Sequence, residues 1–217
     1  MIGITVSVGY SKKLKIGLPL WLQGCDQIYV VTDKNDKETY SITKLSKKIF
    51  LYSTEVFYEK GASFNKGKAL NEIYELLNIK SKWMCIFDSD IVPPKKWNET
   101  IIPFLKFGNL HSAPRFQDGE KFIPDNPYEM AGYFWIFHSE DPHIPRCPTF
   151  TSWKHAGNYD TIFRNNWLRS ERTILPLKLN HIGNPGKNWW GIGNTEKMTK
   201  MYEERRKRNG DYMHESV

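Results

Sequence analysis

Between Trp83 and Pro94 the chain reads WMCIFDSDIVPP. Five apolar or soft residues in a row describe a buried strand. It runs into two carboxylates, Asp88 and Asp90, and Pro93 and Pro94 then stop it. Residues i and i+2 of a strand share a face, so the two acids converge if the strand persists to Asp90. They stand at its C-terminal end, where open α/β sheets bind ligands. Two ionised carboxylates this close repel each other, and burial adds a desolvation cost. A divalent cation offsets both, and hard oxygen ligands suit Mg²⁺ or Mn²⁺. The competing reading is a plain strand end with two solvated aspartates in a turn.

The sequence before this stretch alternates strand and helix patterns. GITVSVGY, QIYVVTD and KIFLYSTE read as strands. KKLKIGLPLWL reads as a short helix or turn disturbed by Pro19, and KETYSITKLSKK as helix-like. NKGKALNEIYELL carries apolar residues at 69, 70, 73, 76 and 77, a helical stripe. Such alternation predicts a mostly parallel sheet flanked by helices. The second half is less regular. NLHSAPRF, GYFWIFHS and TILPLKLNHIG read as strands, with Pro176 arguing against a central place for the last. QDGEKFIPDNPYEM reads as a loop over the sheet, NYDTIFRNNWLR as a short helix capped by Asn158, and NPGKNWWGIGN as a Gly-rich loop. A final helix is expected from about Thr195 to Asn209, stopped by Gly210.

The 217 residues suffice for one α/β domain with a sizeable core. We expect it to comprise two halves, residues 1–95 and 96–217. No apolar run approaches the roughly 20 residues of a membrane span. MIGITVSVGY reads as a first strand rather than a secretory leader. Cys25, Cys85 and Cys147 lack metal-type spacing and read as reduced thiols, hence an expected cytoplasmic location. The net charge of +7 suits nucleic acid, an anionic membrane or a phosphorylated small molecule. No nucleic-acid motif accompanies it. Part of the excess is local, in EERRKR (Glu203 to Arg208). That run complements its helix C-terminus and leaves open a peripheral membrane contact.

The apolar strand with its D-x-D resembles the metal-binding signature of GT-A fold glycosyltransferases. FNKGKALN (Phe64 to Asn71) resembles a segment of the family-2 type, VSVGY its first strand and nucleotide loop, and VVTD its second strand with an acidic end. The order of these pieces strengthens the resemblance, which is firm over residues 1–95. It implies transfer of a sugar from a nucleoside diphosphate sugar, UDP-sugar favoured, to an acceptor hydroxyl on a glycan or glycoprotein. It implies Mn²⁺ or Mg²⁺ on Asp90 and Asp88, with Asp88 also near the ribose. Val8, Gly9 and Tyr10 would hold the base, and Asp33 the base or ribose. Their ordinary alternatives are a tight turn and a solvated strand-end acid. Lys66 and Lys68 flank Gly67 at a helix start, which favours anions. Lys68 is the better phosphate ligand, and Lys66 reads as solvated. The compact form also resembles small glycosyltransferase domains of some large DNA viruses.

An attacking hydroxyl needs a base within hydrogen-bond reach. Asp160, in the first turn of its helix and preceded by Gly157 and Tyr159, is similar to the acid of inverting GT-A enzymes. An acid there is also favoured by the helix dipole alone. Glu129 and Asp141 are weaker candidates. LKLNHIGNPGKNWWG resembles the late segment that places a His on the metal, here His181, followed by Lys187 near phosphate. Imidazole would favour Mn²⁺ over Mg²⁺. In EMAGYFWIFHSE, Gly132 could admit an acceptor to the backbone. Tyr133 and Trp135 are expected on one face and Phe134 on the other. Trp135, Trp153, Trp189 and Trp190 are candidate sugar platforms, most of them serving packing.

Other classes compete. DSDIV also satisfies the D-x-D-x-[TV] pattern of haloacid-dehalogenase-like phosphatases, with Asp88 as nucleophile and Asp90 as acid/base. That motif normally follows the first strand, and three strands precede it here. A sugar nucleotidyltransferase would share the fold, but the first strand lacks the expected Gly-rich, Arg-containing loop. A non-catalytic sugar-binding domain would keep the aromatics and need no base.

Overall fold

The computed structural model describes residues 1–62, 64–117, 119–122, 129–144 and 159–183. Among the described residues the strands and α-helices follow in this order: β1 (Ile2–Val6), α1 (Ser11–Trp21), β2 (Gln27–Asp33), α2 (Lys37–Tyr40), β3 (Ile49–Thr54), α3 (Lys66–Leu77), β4 (Trp83–Asp88), β5 (Ile91–Val92), α4 (Trp97–Ile101), β6 (Leu110–Ser112), β7 (Arg115–Gln117), β8 (Glu120–Phe122), β9 (Phe134–His138), α5 (Tyr159–Arg164), β10 (Arg172–Ile174) and β11 (Leu179–His181). The result is a mixed α/β fold whose central sheet is mostly parallel. Among the described residues no helix is long and apolar enough to cross a membrane.

The large sheet has the order β10-β6-β9-β4-β1-β2-β3. β3, β2, β1 and β4 run parallel, and β9 alone runs against its neighbours β4 and β6. β1 and β4 are apolar on both faces because helices cover both. Met84 and Ile86 join Leu70 and Ile73 of α3, Trp135 and Phe137 of β9, and Phe163 of α5. Cys85 and Phe87 turn the other way, toward Leu14, Leu18 and Trp21 of α1 and Trp97 of α4. Trp21 stacks on Phe87 with ring centroids 4.1 Å apart and meets Trp97 edge-on at 5.0 Å. Much of the aromatic surplus is thus core: Trp21, Trp97, Trp135 and Trp167 are fully buried.

The small sheet, β5-β11-β7-β8, is where the structure departs from the sequence reading. NLHSAPRF is not one strand. It breaks at Ala113-Pro114, giving β6 to the large sheet and β7 to the small one. TILPLKLNHIG breaks likewise around Pro176 into β10 and β11. Each proline lacks the N–H that would continue a ladder. The two segments cross between sheets side by side, β10 parallel to β6 and β11 parallel to β7. The expected loop over the sheet contains β8, antiparallel to β7. Tyr133 lies just before β9 and packs with Phe134 and Ile136, so it does not share Trp135's face. Pro19 lies inside α1 without ending it. Asn158 and the expected C-terminal helix lie outside the described residues.

His111 of β6 is fully buried. Its Nε2 accepts the Lys106 N–H at 3.0 Å, so the proton sits on Nδ1, which donates to the Ile136 carbonyl at 3.2 Å. Burial holds its pKa below the ordinary histidine value, outweighing the carbonyl contacts that favour the charge. The unfolded chain therefore binds a proton that the folded chain resists, and stability falls as pH drops through the ordinary value of about 6.5. Chemical unfolding between about pH 7 and pH 5 is expected to lose less stability in His111→Gln than in the wild type.

Candidate active site

One edge of the large sheet gathers the polar residues. The parallel strands β1, β2 and β4 end there, and β9, running the opposite way, begins there. α3 and α5 also start at this edge. Asp88 is the last residue of β4 and faces α3, on the side of Met84 and Ile86. The strand does not persist to Asp90, which lies in a turn before β5. The two acids are therefore divided between different partners.

Asp88 forms an ion pair with the ammonium of Lys66, which also lies 5.0 Å above the ring of Tyr159. Lys66 is buried, contrary to the solvated lysine expected from the sequence. It occupies the first position of α3, where the helix dipole disfavours a cation, so Asp88 has to supply the compensation. Burial opposes charge on Lys66, but Asp88 and Tyr159 outweigh it and raise the lysine's pKa above its usual value. Desolvation and the charge of Asp90 raise the pKa of Asp88 against the pull of Lys66 and Arg115. Lys68 is the outward lysine: it pairs with Glu59, while Asn65 caps α3 by accepting its backbone N–H at 3.1 Å.

Asp90 is buried, and its Oδ2 lies 3.4 Å from Nε2 of His181, both side chains being 6% exposed. The small sheet creates this meeting. β11 pairs with β5 in a register that sets His181 opposite Ile91, and the Ile182 N–H donates to the Asp90 carbonyl at 2.9 Å. Tyr10 borders the same space. Burial and the charges of Asp90 and then Asp88 push its phenol up to about 12, so it stays neutral. Lys13 covers one face of its ring at 4.7 Å.

The loop from Val8 to Tyr10 is buckled to the next crossover. Val8 is buried, and Gly9 adopts a left-handed φ of 68°. The Gly9 N–H donates to Asp36 Oδ2 at 2.7 Å, and Asp36 also takes Thr32 and Thr39 hydroxyls while capping α2. Asp33 is buried and closes its own turn by accepting the Asn35 N–H at 2.8 Å.

Asp160 opens α5. Its carboxylate accepts the Gly132 N–H at 3.2 Å and the Thr161 N–H at 2.8 Å. Tyr159 donates to the Gly132 carbonyl at 2.9 Å. The bare Cα of Gly132 faces α5: a Cβ there would lie 2.6 Å from Asp160 Cβ and 2.8 Å from the Tyr159 oxygen. Its space is filled by that helix rather than left for an acceptor. Trp135 does not serve as a sugar platform. It is fully buried and stacks on Phe163 at 4.9 Å, and its Nε1 meets no acceptor among the described residues. Asp141 is buried beneath His143 and Trp167, away from any role as base. Gly157, Lys187, Trp153, Trp189 and Trp190 lie outside the described residues.

Sequence reasoning missed four residues here. Lys66 had a signal, a cation at a helix start followed by an apolar stripe. Asp36 had the capping spacing to Thr39. Arg115, 4.9 Å over the Tyr133 ring and close enough to act on Asp88, and Gln117, 3.0 Å from His181 Nδ1, had none, because a second sheet brings them in.

The donor set is compatible with a hard or borderline divalent cation on Asp90 and His181. Ligand atoms in neighbouring positions on an octahedral ion with bonds of about 2.1 Å lie about 3 Å apart, near the observed separation. Among the described residues no group of three or more His, Cys, Asp or Glu converges on one point. Mg²⁺-type ions commonly use one or two protein ligands and take the rest from substrate phosphates and water. Asp88 stands next to this pair but is engaged by Lys66.

No protein-family model and no curated protein matches the sequence. Solved structures do. The catalytic domain of Drosophila β-1,4-galactosyltransferase 7, bound to xylobiose, superposes with a TM-score of 0.55 at 14% identity, covering 94% of this chain and 79% of that one. The chain has the GT-A-like fold. The galactosyltransferase LgtC, bound to donor and acceptor sugar analogues, matches at 0.51 and 8% identity over 94% and 96% of the two chains. The inositol-1-phosphate CTP transferase of T. maritima matches at 0.52 and 9% over the same shares. A mutant of the Drosophila enzyme was solved with manganese, UDP-Gal and xylobiose. At these identities the GT-A-like likeness is one of fold.

Gly132→Ala is expected to force α5 away from β9. Urea unfolding should register a loss of about 1–3 kcal/mol, the usual cost of overpacking.

Proposed function

We propose that the chain is a metal-dependent glycosyltransferase that moves a sugar from a nucleoside diphosphate sugar, preferably UDP-linked, to an acceptor hydroxyl with inversion. The observation that carries this reading is the buried Asp90–His181 pair at the C-terminal end of β4, 3.4 Å apart and bordered by Tyr10. A buried acid beside an imidazole suits Mn²⁺ or Mg²⁺, and the solved GT-A-like structure containing manganese and UDP-Gal supports the same chemistry.

In this reading Asp90 and His181 hold the cation, whose chemistry when bound is Lewis-acid neutralisation of the diphosphate leaving group. Tyr10 is neutral and, with Val8 and Gly9, would contact the nucleotide base. Lys66 neutralises Asp88 and stands ready for phosphate oxygens, with Lys187 as a further phosphate ligand. Asp160 accepts the proton of the attacking hydroxyl, its carboxylate aimed by the Gly132 and Thr161 N–H groups. One base and one displacement give inversion of the anomeric centre. The acceptor is a glycan or glycoprotein, and the basic C-terminal segment is an optional membrane contact of a cytoplasmic protein.

A second reading is nucleotidyl transfer, favoured by the likeness to the T. maritima enzyme. It requires a nucleoside triphosphate and a sugar phosphate as substrates and releases pyrophosphate. The phosphatase reading has no such support, because β4 follows three other strands and its Asp88 is paired with Lys66.

Thermal shift with nucleotide sugars decides first. UDP-sugar and Mn²⁺ together should raise Tm, by the equivalent of about 2.7 kcal/mol at a hundredfold excess over Kd. Neither alone should match it, and Asp90→Ala should abolish it. Pyrophosphate release from a triphosphate would favour the second reading instead. In transfer assays Asp160→Asn should retain donor binding and lose about 10²- to 10⁴-fold in rate. NMR of the product anomer checks inversion, and a retained configuration would remove Asp160 as the single base.

A further inference from the structure

We infer that Gln117 is a positioning residue that fixes the tautomer of His181 and so keeps Nε2 available as the cation's nitrogen ligand. This rests on the metal-dependent reading above and adds a residue that no motif marks.

The amide of Gln117 bridges two groups. Its Nε2 is 3.3 Å from the carbonyl of Gly183, and its Oε1 is 3.0 Å from Nδ1 of His181. A carbonyl can only accept, so the amide nitrogen faces Gly183 and the amide oxygen faces the imidazole. An amide oxygen can only accept as well. Nδ1 therefore carries a hydrogen, and in the neutral ring Nε2 carries the lone pair. That lone pair is directed at Asp90 Oδ2, 3.4 Å away. Two acceptor atoms facing each other in a buried space repel unless a positive charge lies between them, either a proton or a metal ion.

The backbone fixes both partners of Gln117. β7 and β11 run parallel with Leu179 opposite Arg115 and Asn180 opposite Phe116, so Gln117 and His181 follow in step at the end of the ladder. Histidine ligands commonly donate their second ring nitrogen to an outer acceptor, which sets ring orientation and raises basicity. Here that acceptor is 64 residues away in sequence.

The test uses the full chain and three variants. Gln117→Leu removes the acceptor, Gln117→Glu restores one, and His181→Gln assigns the resonance among six histidines. Long-range imidazole ¹⁵N–¹H spectra of the metal-free protein should show His181 protonated on Nδ1 in the wild type. Gln117→Glu should keep that tautomer and Gln117→Leu should lose it. Mn²⁺ affinity in the presence of UDP, read as free Mn²⁺ by EPR, should fall about 10- to 100-fold in Gln117→Leu and recover in Gln117→Glu. A merely structural role would lower Tm in both variants alike without moving the tautomer.

A wild-type His181 protonated on Nε2 and not on Nδ1 overturns the inference. So does a Gln117→Leu chain that binds Mn²⁺ as tightly as the wild type, and in that case the metal-dependent reading survives. A wild type with the expected tautomer that binds no Mn²⁺, with or without UDP, overturns it through that reading.

Discussion

Two negative charges at the end of one buried strand are the constraint around which this protein is arranged. Asp88 and Asp90 lie two residues apart, Asp90 buried and Asp88 a third exposed, and like charges this close repel. The fold separates them by ending β4 between them and gives each its own counterpart. Asp88 receives Lys66 from the start of α3, and Asp90 receives His181 from β11. The first solution requires a lysine at a helix position that its dipole disfavours. The second uses the small sheet, whose β11 carries His181.

That division explains the use of both sheet faces. Apolar side chains of β4 alternate between the α3–α5 layer and the α1–α4 layer, and Asp88 follows the first direction outward to Lys66 and Tyr159. Asp90 leaves the strand altogether. β9 contributes by running backward, so that its start, rather than its end, borders the two acids. With every strand parallel, Gly132 and Tyr133 would lie at the opposite edge.

The first four strands and α3 were legible because their signals are local. Apolar runs of strand length and a 3.6-residue stripe describe them without reference to anything distant. The apolar run into Asp88 was legible for the same reason. The small sheet was not. Its strands are two or three residues long, and two of them sit inside stretches that look like single strands until Pro114 and Pro176 interrupt them. Lys66 was read as solvated because sequence spacing does not reveal that Asp88 draws it inward while Lys68 pairs with Glu59. Trp135 was misread as a platform because a buried aromatic and a sugar-stacking one look alike in a string of letters.

One short peptide ties the start of α5 to the end of β4. The N–H of Gly132 bonds Asp160, and the carbonyl of the next residue, Tyr133, takes the backbone N–H of Asp88 at 2.9 Å. The spacing from the end of β4 to the carboxylate of Asp160 is thereby gauged by a single link of covalent chain, which cannot stretch. Any natural variant that lengthens this link would uncouple β4 from α5 while leaving every side chain in place.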